Sequence, residues 1–177
     1  MPARAGRNSF AWFGAFPVPL ERWATCVGRS RVVTGGGCVF CGIVRGQAEG
    51  SLVHEDESVV AFMDLQPVTP GHLLVVPRAH AVGLQDLEEE VGVRMWRVAH
   101  RLGRALRRSG LECDGVNLFL ADGEAAFQEV FHVHLHVFPR FAGDGFRIDA
   151  DWRERDRREL DEAAAAVRAG LRALETP

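Results

Sequence analysis

The chain contains no lysine and no tyrosine, so all 21 of its basic side chains are arginine. That bias reflects composition and points to no mechanism. No apolar run reaches the roughly 18–20 residues that a membrane span needs, and no membrane partner is expected. The four cysteines, Cys26, Cys38, Cys41 and Cys113, are too few and too scattered for a disulfide scaffold in a chain of 177 residues. Near the start, Arg4 and Arg7 precede a short aromatic patch, Phe10 to Phe16, that glycine interrupts. It lacks the clean apolar segment of a signal peptide, so the expected compartment is the cytoplasm. A basic surplus is missing too. The net charge is -3, made of +4 over residues 1–37 and -7 over the rest. An acidic body excludes a nucleic-acid binder that works through a broad basic surface, while a small anionic ligand held locally stays open.

What is present is an ordinary globular composition, 47% hydrophobic and 25% charged, long enough for one domain with a proper core. Residues 1–37 show no period and end in Thr34-Gly35-Gly36-Gly37, which reads as a linker closing a flexible extension. The folded part is expected to begin at Cys38-Val39-Phe40-Cys41-Gly42-Ile43-Val44, a helical turn leading into a short helix. Leu52–His54 and Val59–Met63 read as a hairpin around the charged turn Glu55-Asp56-Glu57-Ser58. Pro67-Val68-Thr69-Pro70-Gly71 must be a loop, and His72–Val76 is an apolar strand that Pro77 ends. Leu87, Val91, Met95, Val98, Leu102 and Leu106 predict a long helix over 86–109, with Asp86 and Glu89 as a capping box and Gly110 after its end. Val116–Leu120 reads as a strand. Residues 151–174 read as a second helix, with Leu160, Ala164, Val167, Leu171 and Leu174 on one side and dense charge opposite. Strands that outnumber well-separated helices indicate an α+β sheet.

The most informative stretch is Phe131-His132-Val133-His134-Leu135-His136-Val137-Phe138. Strict alternation predicts a strand that sends Val133, Leu135 and Val137 to a core and His132, His134 and His136 to a polar site. On such a strand the outer histidines lie roughly 13 Å apart at their backbones, too far for one phosphate to be gripped by all three. A central histidine at the reacting atom, a neighbour assisting it and one free for another role fit that spacing. A three-histidine metal site needs convergence that a flat strand does not favour.

This run resembles the histidine-triad (HIT) family. So do Phe62-Met63-Asp64-Leu65-Gln66-Pro67, Pro70-Gly71-His72-Leu73-Leu74-Val75-Val76-Pro77-Arg78-Ala79-His80, the opening Cys38–Val44 block and the lead-in Gly123–Val130, in register over 38–145. The resemblance implies a five-stranded antiparallel sheet, a homodimer, and a site that binds a purine nucleotide such as AMP and attacks its α-phosphorus. It assigns His134 as nucleophile, with His136 steadying the phosphate oxygens and Gln128 contacting the scissile bridge. The backbone N–H groups around Glu129 and Val130 would face the phosphate, and Asp64 would hold the ribose hydroxyls. Phe40, Ile43, Phe62 and Leu65 would line the base pocket, against the alternative of plain core packing. His72 is either a neighbour of the site or a satisfied core histidine, and His54 and His100 are expected to be ordinary surface or helix-side residues. The chain departs from the family pattern at Ala121, where many members carry asparagine, and at Glu129, whose carboxylate should point away from a phosphate or bind a cation.

Cys38-x-x-Cys41 admits three readings: a redox pair, two spare thiols, or half of a tetrahedral zinc site completed by two histidines. The family resemblance supplies His80 and His132 as those histidines, giving one structural Zn2+ per chain. The activity expected is hydrolysis or transfer at a nucleoside 5′-phosphoramidate or a dinucleoside polyphosphate such as Ap4A, through a nucleotidyl-histidine. Ap4A phosphorolysis and a nucleotide-binding scaffold with little activity are the alternatives. Residues 38–145 would form the HIT domain, and 146–177 a helical segment packed on it or extending from it.

Overall fold

The computed structural model of the protein describes residues 37–175. The extension expected over 1–37 therefore lies outside the described residues, apart from Gly37. The elements are α1 (Val39–Val44), β1 (Leu52–Glu55), β2 (Val59–Met63), β3 (Leu73–Pro77), α2 (Glu89–Leu106), β4 (Gly115–Leu120), β5 (Leu135–Arg140) and α3 (Arg157–Leu174). A single 3-10 turn, Glu124–Ala126, interrupts the loop before β5. The strands form one sheet in the order β1-β2-β3-β5-β4, with every neighbour antiparallel. This is the α+β, five-stranded architecture expected.

Alternation along the central strands separates two apolar layers. Val59 and Ala61 of β2, Leu73 and Val75 of β3, and Leu135 and Val137 of β5 pack with Met95, Val98, Ala99, Leu102 and Leu106 of α2. Val60, Phe62, Leu74 and Val76 face the other way and pack with Phe40 of α1. Both faces of β2 and β3 are thus covered, which is why their sequences read as continuous apolar runs. Each fully buried aliphatic side chain here contributes roughly 1.5–3 kcal/mol relative to exposure. His136 pairs with Leu74 across the β3–β5 ladder, on the α1 side of the sheet.

The hairpin turn is fixed by Asp56, whose carboxylate accepts from the Ser58 and Val59 N–H groups at 2.9 Å and from Arg94 Nε of α2 at 2.8 Å. Gly71 enters β3 at φ +98, and a Cβ there would lie 2.7 Å from Leu111 Cδ1, so only glycine fits. α2 is shorter at both ends than the sequence pattern suggests. Its N-cap is Glu88, with no side-chain cap bond, and Asp86 instead accepts from the Gly83 N–H at 3.3 Å. The local turn takes the carboxylate that the capping box would have used. Helix α3 starts at its cap Asp156, whose side chain accepts from the Glu159 N–H at 2.8 Å, and residues 151–156 are not helical.

Candidate functional site

The three histidines do not share one strand. β5 begins at Leu135, so only His136 is a strand residue. The reason lies with its neighbours. β4 ends at Leu120, opposite Leu135, and β5 pairs with β3 only as far as Val75. Pro77, at the end of β3, has no N–H to offer a ladder. Without a partner the preceding segment turns: the His132 N–H bonds to the Val130 carbonyl at 2.8 Å, and the Val133 N–H to the Ala81 carbonyl at 2.7 Å. Val133 still reaches the α2 core, as the alternation requires. The His132 ring, however, is carried away from the other two and is fully buried.

There it meets both cysteines and His80. His132 Nδ1 lies 3.4 Å from Cys38 Sγ, 3.5 Å from Cys41 Sγ and 3.3 Å from His80 Nδ1, and Cys41 Sγ lies 3.4 Å from His80 Nδ1. For zinc, with bonds near 2.3 Å to sulfur and 2.0–2.1 Å to nitrogen, tetrahedral geometry gives S···N edges of about 3.5 Å and an N···N edge of about 3.3 Å. The four donors already have those separations, and all lie within 4.8 Å of one another. The His132 Nε2–H donates to the Pro77 carbonyl at 2.9 Å, so the lone pair sits on Nδ1, facing the cluster. Burial first, and then the neighbouring Cys38, push the Cys41 thiol upward. The residues fit a zinc ion, and a closed shell of four protein donors leaves no position for substrate.

The second cluster contains His134, His136, His72 and Asp64. His134 is 5% exposed, and its Nδ1–H donates to the His132 carbonyl at 2.7 Å. Its Nε2 therefore keeps the lone pair. Burial holds His134 below the ordinary histidine value, against the hydrogen bond and the charges of Asp64 and Glu129, which favour the protonated ring. The Val68 N–H donates to His72 Nδ1 at 3.1 Å, which places the hydrogen of that ring on Nε2. His72 Nε2–H in turn donates to His136 Nδ1 at 2.9 Å, which leaves His136 with an N–H on its outer nitrogen. Asp64 Oδ2 stands 3.5 Å from His72 Nδ1 and 4.0 Å from His136 Nδ1, while Oδ1 accepts from the Gln66 N–H. These three residues could also be read as a metal site. Their nitrogens are already paired through N–H groups, so a hydrogen-bonded relay accounts for them without an ion.

The remaining predicted residues divide. Phe40 and Phe62 are buried and meet edge to face at 5.5 Å, and Phe40 also touches the His134 ring at 5.2 Å. They are core residues that form the floor beneath His134. Leu65 is 95% exposed, and Ile43 borders a hollow of about 440 Å³ with Gly46–Gly50 and Leu52, which touches none of the histidines. Gln128 is buried, with its amide donating to the Val82 and Val130 carbonyls and accepting from the Gly123 N–H. Both amide hydrogens are in use, so it can donate to a ligand only by releasing the loop. Glu129 is exposed and Ala121 is buried in the wall. The relay through His72 is the feature that sequence reasoning left undecided, since only the Val68 N–H fixes its tautomer. His54 bonds Asp56 at 3.1 Å, a structural role.

The HIT domain family model matches residues 45–143 of this chain. An uncharacterized HIT-like protein of Borreliella burgdorferi is 40% identical over 110 residues, which is 62% of this chain and 79% of that protein. Protein hit of Bacillus subtilis is 39% identical over 110 residues, 62% of this chain and 75% of that protein. Among solved structures, a Zn-bound histidine triad family protein from Mycobacterium smegmatis superposes with a TM-score of 0.60 at 43% identity, covering 78% of this chain and 97% of its own. A HIT family protein from Bacillus anthracis superposes at 0.69 with 34% identity, covering 77% and 99%. The family match begins after Cys38 and Cys41, so the cysteine half of the candidate metal site rests on geometry. Sequence, fold and the order of the histidines agree, and the chain belongs to the HIT family.

Proposed function

We propose that the chain binds a purine nucleoside 5′-phosphate derivative and cleaves it at the α-phosphorus through a covalent nucleotidyl-His134 intermediate. The observation that carries this reading is the 2.7 Å bond from His134 Nδ1–H to the His132 carbonyl. It leaves a lone pair on Nε2 of a ring that burial keeps neutral, so no base is needed before attack. In the first step Nε2 bonds to phosphorus and the bond to the leaving group breaks. The departing amine or phosphate takes up a proton from solvent; water then adds its oxygen to phosphorus as the P–N bond breaks, gives a proton back to solvent, and leaves the neutral Nδ1–H imidazole. The outer N–H of His136, oriented by His72, donates to a phosphate oxygen as negative charge grows there. Asp64 would take the ribose hydroxyls, with Ile43 and Leu65 at the rim of the base site over the Phe40–Phe62 floor. The backbone N–H groups of Glu129 and Val130 would face the phosphate, and Gln128 acts by shaping that loop. Zinc held by Cys38, Cys41, His80 and His132 would cross-link the fold and supply no chemistry to the substrate.

The test is His134→Asn assayed with adenosine 5′-phosphoramidate and with Ap4A. Asparagine keeps a polar side chain of similar reach but offers no nucleophilic ring nitrogen, so turnover should fall at least about 1,000-fold while AMP still binds. Unchanged turnover would remove His134 from its role. A wild-type protein that binds AMP and cleaves neither substrate would make the site a binding module, and cleavage of Ap4A that requires inorganic phosphate would make it a phosphorylase.

A further inference from the structure

Edge strand β4 brings to the site a side chain that neither cluster uses. Its Val116, Leu118 and Leu120 pack toward the α2 core, so alternation turns Asn117 and Phe119 to the face that carries the histidines. Asn117 has a partner, since Arg140 Nη1 donates to its side-chain oxygen at 2.9 Å. Phe119 stands across the ladder from His136, with the two ring centroids 6.0 Å apart, and is 42% exposed. One half-exposed phenylalanine is ordinary on a protein surface. What sets this one apart is its place beside His136.

The register shows which flank of the site it occupies. Phe62 of β2, Leu74 of β3, His136 of β5 and Phe119 of β4 form one row across the sheet. Phe40 of α1 packs with the first two, and the row opens to solvent at Phe119. Asp64 follows β2, where its N–H bonds to the His72 carbonyl at 2.9 Å, and its Oδ2 lies 4.0 Å from His136 Nδ1. The carboxylate therefore approaches His136 from the β2–β3 side and the phenyl ring from the β4 side.

That asymmetry divides a substrate. A nucleoside with its ribose at Asp64 fills the β2–β3 side and brings its phosphate to His134 and His136. The group on the other side of phosphorus then extends over β4. A polyphosphate leaving there would need cations, and β4 (Gly115–Leu120) contains no basic residue. A flat ring joined to the departing nitrogen through a short methylene link would instead stack on Phe119. The geometry points to Phe119 as a platform for the leaving group, selecting nucleoside 5′-phosphoramidates whose amine carries an aromatic ring. This assignment rests on the reaction proposed for His134.

The test compares adenosine 5′-phosphoramidate, which releases ammonia, with its N-benzyl derivative, which releases benzylamine. Wild type, Phe119→Ala, Phe119→Leu and Phe119→Trp are each assayed with both. The quantity read is kcat/KM for the benzyl compound divided by kcat/KM for the parent. A general loss of turnover from disturbing His136 divides out of that ratio, and the intrinsic reactivity of each P–N bond is the same for every variant. An aromatic pair adds to plain apolar burial a factor of roughly 3 to 10, so the ratio should fall by that much in Phe119→Leu, by at least as much in Phe119→Ala, and be retained in Phe119→Trp. An unchanged ratio in Phe119→Ala would overturn the platform alone, leaving the reaction at His134 in place. A ratio in Phe119→Trp as low as in Phe119→Ala would overturn it too, because packing and not a ring would then be what matters. Wild type that cleaves Ap4A faster than the benzyl compound would overturn the selection. Wild type that cleaves none of the three would overturn the reaction at His134, and the platform with it.

Discussion

His136 is held as a neutral ring by its surroundings. In the proposed reaction it presents its one outer N–H to a ligand as a neutral ring, and burial, then His134 and His72, push its pKa down to about 3. In the unfolded chain the same ring titrates near 6.5. Between those values the unfolded state binds more protons than the folded one. Stability from this group is thus complete above about pH 6.5 and declines as the pH falls toward 3, with a slope approaching about 1.4 kcal/mol per pH unit. His136→Asn removes that dependence. Urea denaturation at several values between pH 7 and pH 4 should show the variant losing stability less steeply than wild type, by up to that slope. Comparing the two proteins cancels the acid sensitivity of the cysteine–histidine cluster, which both retain. Parallel curves would mean that His136 is not buried in its neutral form. The same ring shows how far single residues were readable: its place on the side of β5 opposite Leu135 and Val137 follows from alternation, while its tautomer depends on a Val68 N–H some distance away in the chain.

At the scale of elements the clearest dependence is that of α1. Six residues are too few to hold a helix in water, and Cys38 at its N-cap makes no capping bond. What fixes it is Phe40 packed on β2 and β3, together with Cys38 and Cys41 joined to His80 after β3 and His132 before β5. A zinc ion there would tie three separate segments. Elemental analysis of protein purified without chelators should find about one zinc per chain. Cys38→Ser should weaken that binding by at least about 100-fold with far-UV circular dichroism retained, because the sheet does not depend on the ion. Zinc-free wild-type protein would refute the assignment. The Cys-x-x-Cys spacing was visible in the sequence as half of a tetrahedron. Its other half stands 39 to 94 positions away, a distance at which no local pattern specifies contact, so only the family resemblance named it. The start of β5 was misjudged for a related reason: alternation continues through His132, but a strand also needs neighbours, and both end near Leu135.

Over the whole molecule the sheet separates two layers that do different work. The α2 side holds the larger hydrophobic cluster, and the α1 side carries the cysteine–histidine cluster and the other histidines. The unbroken apolar runs of β2 and β3 announced two covered faces, and the stripe of α3 was readable as an apolar side. What that stripe touches was not, since the pattern of a helix names no partner. The division predicts that stability can be lowered from one face without disturbing the other. Met95 of α2 is 2% exposed and packs in the apolar layer. Met95→Ala should cost about 2–4 kcal/mol through lost burial and the cavity left behind. For a domain of this size that corresponds to a melting temperature lower by about 5–12 °C, in a single cooperative transition. At 25 °C, where the variant remains folded, zinc content and turnover should match wild type because Met95 packs in the α2 layer while Phe40, which touches the His132 and His134 rings, packs in the other. Loss of zinc or activity in parallel with stability would show that the two layers are mechanically coupled, and that the α1 face takes its geometry from the α2 core.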